Sequence, residues 1–149
     1  MNLVARAHQS LIWDRTRHLL RLRSALREYF PAALQAFEDL DAPEPLELLA
    51  AAPDPDVAAR LSKARIVAAL RRAKRRKIDQ RVQDLQAVLR APALRQSTAV
   101  QHAFSAIVVA EVRVITALVA QIDALGVVVA ERLAVTRTLR SPPANLVSA

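Results

Sequence analysis

The stretch that decides the fold is residues 5–31, ARAHQSLIWDRTRHLLRLRSALREYFP. Six arginines lie along it, opposed only by Asp14 and Glu28. Phe30 and Pro31 end the helical pattern, because the residue before a proline is pushed out of the α region and proline has no amide to donate. The stretch therefore predicts one long basic amphipathic helix. Its apolar residues recur at spacings that bring them to one side of that helix: Ile12, Leu19, Leu22, Leu26 and Tyr29.

A second long helix is predicted over residues 99–133, with Ser97 or Thr98 as its N-cap. Only Glu111 interrupts its apolar seam, and the 3.5-residue period outweighs the strand propensity of its β-branched residues. Neither long helix can bury its apolar stripe alone, so we expect an antiparallel pair and a further partner from a second subunit. The seam residues of the second helix are Phe104, Val108, Ile115, Leu118, Ile122, Leu125 and Val129.

Composition agrees with a helical fold. Of the 149 residues, 53% are hydrophobic but only 3% are aromatic, so the core must be built from Ala, Leu and Val, as in long helices. A chain of this length is enough for one domain. We predict an all-α fold, a long antiparallel helical hairpin or coiled coil with an inserted set of shorter helices.

The segment between the long helices begins with an acidic, turn-rich insert. Residues 31–59 carry seven acids and no base. Pro45 is expected as the first residue of one short helix, because the fixed φ of proline suits that position. Asp54 is expected to cap the next one, with Pro55 following at its first position.

A basic helix is predicted after the insert. Residues 60–77 carry nine bases and no acid, although the net charge of the whole chain is only +8. The helical pattern continues to Pro92, either as one helix or with a break within Arg71–Lys77. Beyond the second long helix, residues 134–149 are expected to be a disordered tail.

The main candidate for ligand contact is the basic cluster, which we define as Arg71, Arg72, Lys74, Arg75, Arg76 and Lys77. On a helix these bases would cover every face, which suits a polyanion better than it suits packing. No pattern for reading bases is visible, so the prediction is contact with a nucleic-acid backbone. The alternative is a solvated helix surface.

The arginine face of the first helix has two interpretations. Either its arginines meet phosphates, or they pair with acids of the insert, and the second is favoured. Trp13 and Tyr29 lie on or beside the apolar stripe, so we expect them in the core rather than stacked on nucleic-acid bases. The arginines and acids concerned are Arg15, Arg17, Arg21 and Arg23, with Glu38, Asp39, Asp41 and Glu44.

No catalytic site, metal site or cofactor is predicted. The chain has no cysteine, which excludes disulfides and cysteine-based zinc sites. The three histidines are scattered, with no acidic residue at ligand spacing. The serines lie within or at the ends of predicted helices, without a nucleophile elbow.

No membrane segment or signal peptide is predicted either. Arg6, His8 and Asp14 break any apolar region near the N-terminus. The most apolar stretch is interrupted by charges before it reaches the roughly 18 residues of a membrane-spanning helix. A cytoplasmic protein is therefore expected. The interrupting residues are Glu111, Arg113, Asp123, Glu131 and Arg132.

Three pieces of the sequence carry a resemblance to a known family. They are L-R-x-x-L-R-E-Y-F-P at residues 22–31, APDPDVAARLSKARI at 52–66 and AFSAIVVAEVRVITALVAQIDALGVVVAERL at 103–133. Together they resemble the segment that follows the RuvC-like domain in DEDD-type insertion-sequence transposases of the "one-ten" family. Those recombinases are guided by a bridge RNA.

The resemblance implies a truncated transposase. In the family, an N-terminal domain carries acidic metal ligands and a C-terminal domain carries a catalytic serine, whereas this chain resembles only the helical segment between them. No catalytic residue of the family can be carried over, so no activity is expected in the fragment. The implied partners are nucleic acid, either DNA or a guide RNA, and a second copy of the chain.

The C-terminal tail departs from the family pattern. Residues 135–149, VTRTLRSPPANLVSA, are compatible with the hypothesis of a frameshift after a single-base deletion upstream, which the DNA of the gene tests. Two readings without recombinase ancestry stay open. One is a stand-alone helical DNA- or RNA-binding protein, and the other is a coiled-coil adaptor whose basic run is only a solvated face.

Overall fold

Two long antiparallel helices, α1 (Leu3–Tyr29) and α7 (Thr98–Arg140), form the frame of the protein. The structure is a computed structural model that describes residues 2–140. Arg132 donates to the Asn2 side chain at 3.4 Å near one end of the pair, and the rings of Tyr29 and Phe104 stack at 5.4 Å near the other. The predicted all-α fold with an antiparallel pair of long helices is therefore confirmed.

The seam between α1 and α7 follows the predicted stripes. Glu111, which interrupts the α7 stripe, is largely buried, and His18 of α1 donates from Nδ1 to its Oε2 at 2.6 Å. A charged position in the seam is thus matched by a polar partner on the other helix, as a largely buried carboxylate requires. The buried apolar residues of the pair are Leu22, Ala25, Leu26 and Tyr29 of α1 with Val108, Val112, Ile115 and Ile122 of α7.

Five shorter helices pack over this frame and complete the core. The helices are α2 (Pro31–Ala36), α3 (Pro43–Ala51), α4 (Pro55–Ala59), α5 (Lys63–Arg72) and α6 (Ile78–Arg90). Helix α2 packs on α1 and α3 packs on α7, while α4, α5 and α6 pack against these two short helices and one another. Leu49, Leu70 and Leu85 are buried in one cluster with Leu26 of α1.

Local capping explains several of these boundaries. Asp54 caps α4 as predicted, because its Oδ1 accepts from the amide of Asp56 at 2.7 Å. Ser62 caps α5 by accepting from Arg65 N at 3.2 Å. Ser97, one of the two predicted caps of α7, accepts from Val100 N at 3.4 Å. Side-chain oxygens thus satisfy amides that a helix start leaves unpaired.

Two predicted helix starts are wrong. Helix α3 begins at Pro43 rather than Pro45, because Ala42 is extended and Pro43 already has the fixed φ of a first helical residue. The basic helix predicted over residues 60–77 covers only Lys63–Arg72. Residues 60–62 serve instead as the end of α4 and the cap of α5.

The last helix extends beyond its predicted end. Helix α7 continues past Leu133 to Arg140, so residues 134–140 of the predicted disordered tail are helical. No proline or glycine interrupts residues 134–140, and helix-compatible residues propagate a helix that is already formed. The rest of that tail, residues 141–149, lies outside the described residues.

The prediction that charges keep every apolar stretch below the roughly 18 residues of a membrane-spanning helix is wrong for α7. Among residues 2–140 it is the one helix long and apolar enough to cross a membrane by length and composition, with a mean hydropathy of 2.0 over 18 residues. Only 17% of that window is buried. A single such helix is weak evidence for a membrane span, because long core helices of soluble proteins meet the same criterion.

Tyr29 ties the end of α1 to the segment before α4. Its buried hydroxyl donates to the carbonyl oxygen of Pro53. Burial, with a smaller contribution from the charge of Asp54, raises the pKa of Tyr29 well above its usual value. Loss of the phenolic proton, which would remove this hydrogen bond, is therefore shifted to higher pH than for an exposed tyrosine.

Gly126, the one glycine in the chain, lies within α7 and offers a stability test. A Cβ at this position would lie 3.5 Å from His8 Nε2, an ordinary van der Waals contact, and the backbone is not left-handed. Since glycine in a helix loses more backbone entropy on folding than alanine, Gly126→Ala should raise the free energy of unfolding by about 0.5–1 kcal/mol. Urea denaturation followed by circular dichroism measures this. A fall in stability would mean that the α1–α7 spacing at His8 is closer than described.

Candidate nucleic-acid interface

The basic cluster lies at the C-terminal end of α5 and in the link to α6, not on one continuous helix. Arg71 and Arg72 form the last turn of α5, and Lys74 follows in a left-handed conformation with φ 57°. The amide of Arg75 donates to Leu70 O and that of Lys74 to Arg71 O, both at 2.9 Å. This pair of hydrogen bonds is a Schellman motif, in which glycine usually occupies the position of Lys74.

A second left-handed residue, Lys77 with φ 55°, begins α6. Of the two alternatives, one helix or a break within Arg71–Lys77, the structure has the break. The prediction that these bases cover every face of a helix is therefore wrong. A continuous helix would have placed Arg71 beside Arg75 and Arg72 beside Arg76, at the i, i+4 spacing where like charges repel. The link separates these charges, although no proline or glycine marks it in the sequence.

Acids of the insert bind part of the cluster. Arg72 donates to Glu47 at 2.9 Å, and Arg75 donates to Glu44 at 3.0 Å. Arg81 of α6 binds the other oxygen of Glu44, whose side chain is only 9% exposed. Two guanidinium groups thus hold one nearly buried carboxylate, and they fix the start of α3 against the start of α6.

The remaining four bases of the cluster point into solvent. Within the part of the chain that the structure describes, no carboxylate lies within 4 Å of them. The link therefore presents a compact group of uncompensated positive charges. These bases, which we call the open bases, are Arg71, Lys74, Arg76 and Lys77.

The arginines of α1 have only partial contact with the acidic insert. Arg15 lies 3.8 Å from Asp41, and Arg23 donates to the backbone oxygen of Glu38 at 3.3 Å. Arg17 pairs with Asp14 on its own helix. The favoured pairing between the arginines of α1 and the acids of the insert is thus present at Arg15. Most of the basic residues that bind acids of the insert, however, lie in α5, in α6 or in the link between them. The sequence order gave no sign of this, because Glu44 and Arg75 are far apart in the chain.

The two aromatic residues of α1 have different surroundings. Tyr29 is buried in the core, as predicted. Trp13 is 63% exposed, so its predicted place in the core is wrong. The α1 seam runs along Leu22 and Tyr29, and Trp13 is about 180° around the helix from Leu22 at 3.6 residues per turn.

Among residues 2–140, no group of three or more His, Asp or Glu side chains is placed to hold a metal ion. The side chains that the structure does bring together around the link are arginines and carboxylates.

Comparison with known proteins gives a similarity that covers most of the chain. The protein named "Mini-circle putative transposase for IS117" from Streptomyces coelicolor is 38% identical over 109 residues. The match covers 70% of this chain and 26% of that protein, so the chain spans about a quarter of its length. No family model matches the chain, and no solved structure matches it. The chain is therefore a partial homologue of that protein, and the similarity supports a transposase family.

Proposed function

We propose that the chain corresponds to the helical middle segment of a DEDD-type, bridge-RNA-guided insertion-sequence transposase. In this proposal the segment contributes nucleic-acid contact and self-association, not the chemistry of recombination, and it does so without a cofactor and outside the membrane. The similarity to the Streptomyces coelicolor protein supports the transposase origin. The three sequence pieces at 22–31, 52–66 and 103–133 support the finer assignment.

The observation that carries nucleic-acid contact is the group of open bases at the α5–α6 link. They lie within seven residues of chain and have no carboxylate partner in the described part of the protein. Each phosphate that such a base neutralises releases counterions, so the affinity falls steeply with salt. Four contacts predict a slope of log affinity against log salt of about −3.6, which is about a 150-fold loss between 50 and 200 mM salt.

The experiment replaces the four open bases with glutamine. We expect binding to duplex DNA and to RNA of the same length to weaken similarly, because backbone contact carries no sequence information. The salt slope should become shallower by about 1 for each base removed. Fluorescence anisotropy with a labelled oligonucleotide at several salt concentrations measures both quantities.

The matched control removes the same charge from exposed bases elsewhere: Lys63, Arg65, Arg137 and Arg140. It should retain most of the affinity, since these bases are not grouped at one turn. An equal loss of affinity in both variants would mean that net charge alone attracts the nucleic acid. The coiled-coil adaptor would then be the remaining interpretation. Circular dichroism of both variants checks that the helices are intact.

A second observation favours self-association through α7. Apolar residues that remain partly exposed recur every seven residues along one face of α7. Alanines at 103, 110, 117 and 124 form an exposed row beside them. From Val100 to Val135 the face is about 50 Å long at 1.5 Å per residue, and a strip about 10 Å wide has an area of about 500 Å². That area is in the range of the largest apolar patches on monomers, which are often functional. The larger residues of this face, which we call the α7 face, are Val100, Ile107, Val114, Val128 and Val135.

A second copy of the chain fits this face better than a lipid surface does. In an antiparallel pair of α7 helices, the valine row of one copy lies over the alanine row of the other, which lets the two backbones approach closely. Gln121 falls in the valine row, and Arg113 lies beside the alanine row. Burying these polar groups in lipid would cost several kcal/mol, whereas at a protein interface they reach water or a partner. We therefore propose a homodimer through the α7 face.

A further inference from the structure

The outer face of α1 combines an exposed indole with arginines. It consists of Arg6, Trp13, Arg17, Leu20, Arg21 and Arg27, all exposed to solvent. Four of them, spaced seven residues apart, form a line along the helix over about 30 Å, with arginines at its ends and Trp13 and Leu20 between them. Arg17 lies one turn from Trp13, so the two positions are neighbours on the helix surface.

The packing of α1 leaves this face without a protein partner in residues 2–140. The seam with α7 is on the opposite side, and Trp13 and Leu20 remain 63% and 62% exposed. Apart from Arg17, which pairs with Asp14, the arginines of the face have no carboxylate within 4 Å in the described part of the chain. One indole and one leucine are a small apolar area for a protein partner, whereas the charge around them is strongly positive.

We propose that the outer face of α1 binds unpaired nucleic-acid bases, with Trp13 as the stacking platform and its neighbouring arginines on the phosphates. An exposed indole can stack on a base only where that base is not already stacked in a duplex, so the ligand is single-stranded. Stacking of this kind accepts any base, because every base has a π-face. This inference rests on the proposal that the protein holds nucleic acid, but it uses residues other than the open bases.

The test uses the fluorescence of Trp13, the sole tryptophan of the chain. A single-stranded oligonucleotide of about 12 nucleotides is within the usual site size for such surfaces. It should quench the emission of the full chain, whereas an abasic strand of equal length and charge should not. Without the strand, the emission per molecule must not change with protein concentration. If it does, the outer face is a contact between copies, and the proposal is overturned.

Variants then separate stacking from charge. Trp13→Ala should weaken single-strand binding by about 5- to 150-fold, since one stacked base contributes about 1–3 kcal/mol, and duplex binding should not change. Trp13→Phe should recover part of the loss. Leu133→Ala, which truncates an equally exposed side chain on α7, should change neither the single-strand affinity nor the duplex affinity. Because Trp13 is outside the core, thermal unfolding should be the same for all three variants.

The outcomes also distinguish this inference from the proposed function. If the open-base variant loses duplex binding while Trp13→Ala binds single strands as well as the parent does, the inference fails and the proposed function stands. Suppose that the single strand quenches Trp13 equally in the parent and in the open-base variant, and that the two proteins bind duplex equally well. The inference then stands and the proposed role of the open bases fails. Equal losses of single-strand and duplex binding on Trp13→Ala would also contradict stacking.

Discussion

Glu44→Ala is expected to lower the free energy of unfolding by about 3 kcal/mol, the lower end of the range for breaking a buried ion pair. The Glu44 carboxylate is 9% exposed and is held by Arg75 and Arg81. Its removal leaves Arg81, which is 22% exposed, without its charged partner. Arg81 also donates to Ala36 O at 2.8 Å and lies 5.6 Å from the centre of the Phe37 ring. The effect should therefore spread to the contacts between α2 and α6.

The matched control for this prediction is Glu47→Ala. Glu47 pairs with Arg72 at a similar distance, 2.9 Å, but both side chains are more exposed, at 36% and 52%. An exposed pair contributes about 0–1 kcal/mol, so the loss should be small. Urea denaturation followed by circular dichroism compares the two variants under the same conditions. Equal losses would show that Glu44 is not the residue that fixes α3 to α6.

Val114→Glu is expected to convert the proposed homodimer into a monomer. Val114 lies in the middle of the α7 face and is 39% exposed in the single chain, so a glutamate there is solvated in the monomer. In the dimer the same carboxylate would be buried without a partner, which costs several kcal/mol for each copy. With about 1.4 kcal/mol for each tenfold change, dimerisation should weaken by at least 100-fold. Sedimentation velocity over a range of concentrations measures the shift.

Val57→Glu provides the comparison for the dimer. Val57 is 38% exposed, nearly as much as Val114, but it lies on α4, away from the α7 face. It should leave the sedimentation of the parent protein unchanged. A parent chain that sediments as a monomer at all concentrations would remove the dimer proposal. If both substitutions dissociate the dimer, the interface is not the α7 face.

The core was predictable from the sequence because apolar spacing is a local signal. Leu22, Leu26 and Tyr29 are buried on α1 as the stripe required, and Val108 and Ile115 are buried on α7. The same reasoning placed Trp13 in the core, and there it failed. A residue next to an apolar stripe can be inside or outside, since the width of the buried face depends on what packs against it.

The candidate interface was only partly predictable. Its location at Arg71–Lys77 followed from composition, but its shape did not, because two lysines adopt left-handed conformations that glycine usually supplies. The close approach of Glu44 to Arg75 and Arg81 was also not visible. These residues are 31 and 37 positions apart, beyond the reach of any local pattern.

The sequence by itself determined that this protein is helical, where its two long helices lie and which sides of them face each other. These properties depend on residues a few positions apart, whose spacing sets the period of the apolar pattern. The tertiary structure alone decided which bases of the basic cluster are neutralised and which are open to solvent. That choice depends on acids brought in by α3, and no periodicity records which distant side chains the packing of helices will bring together.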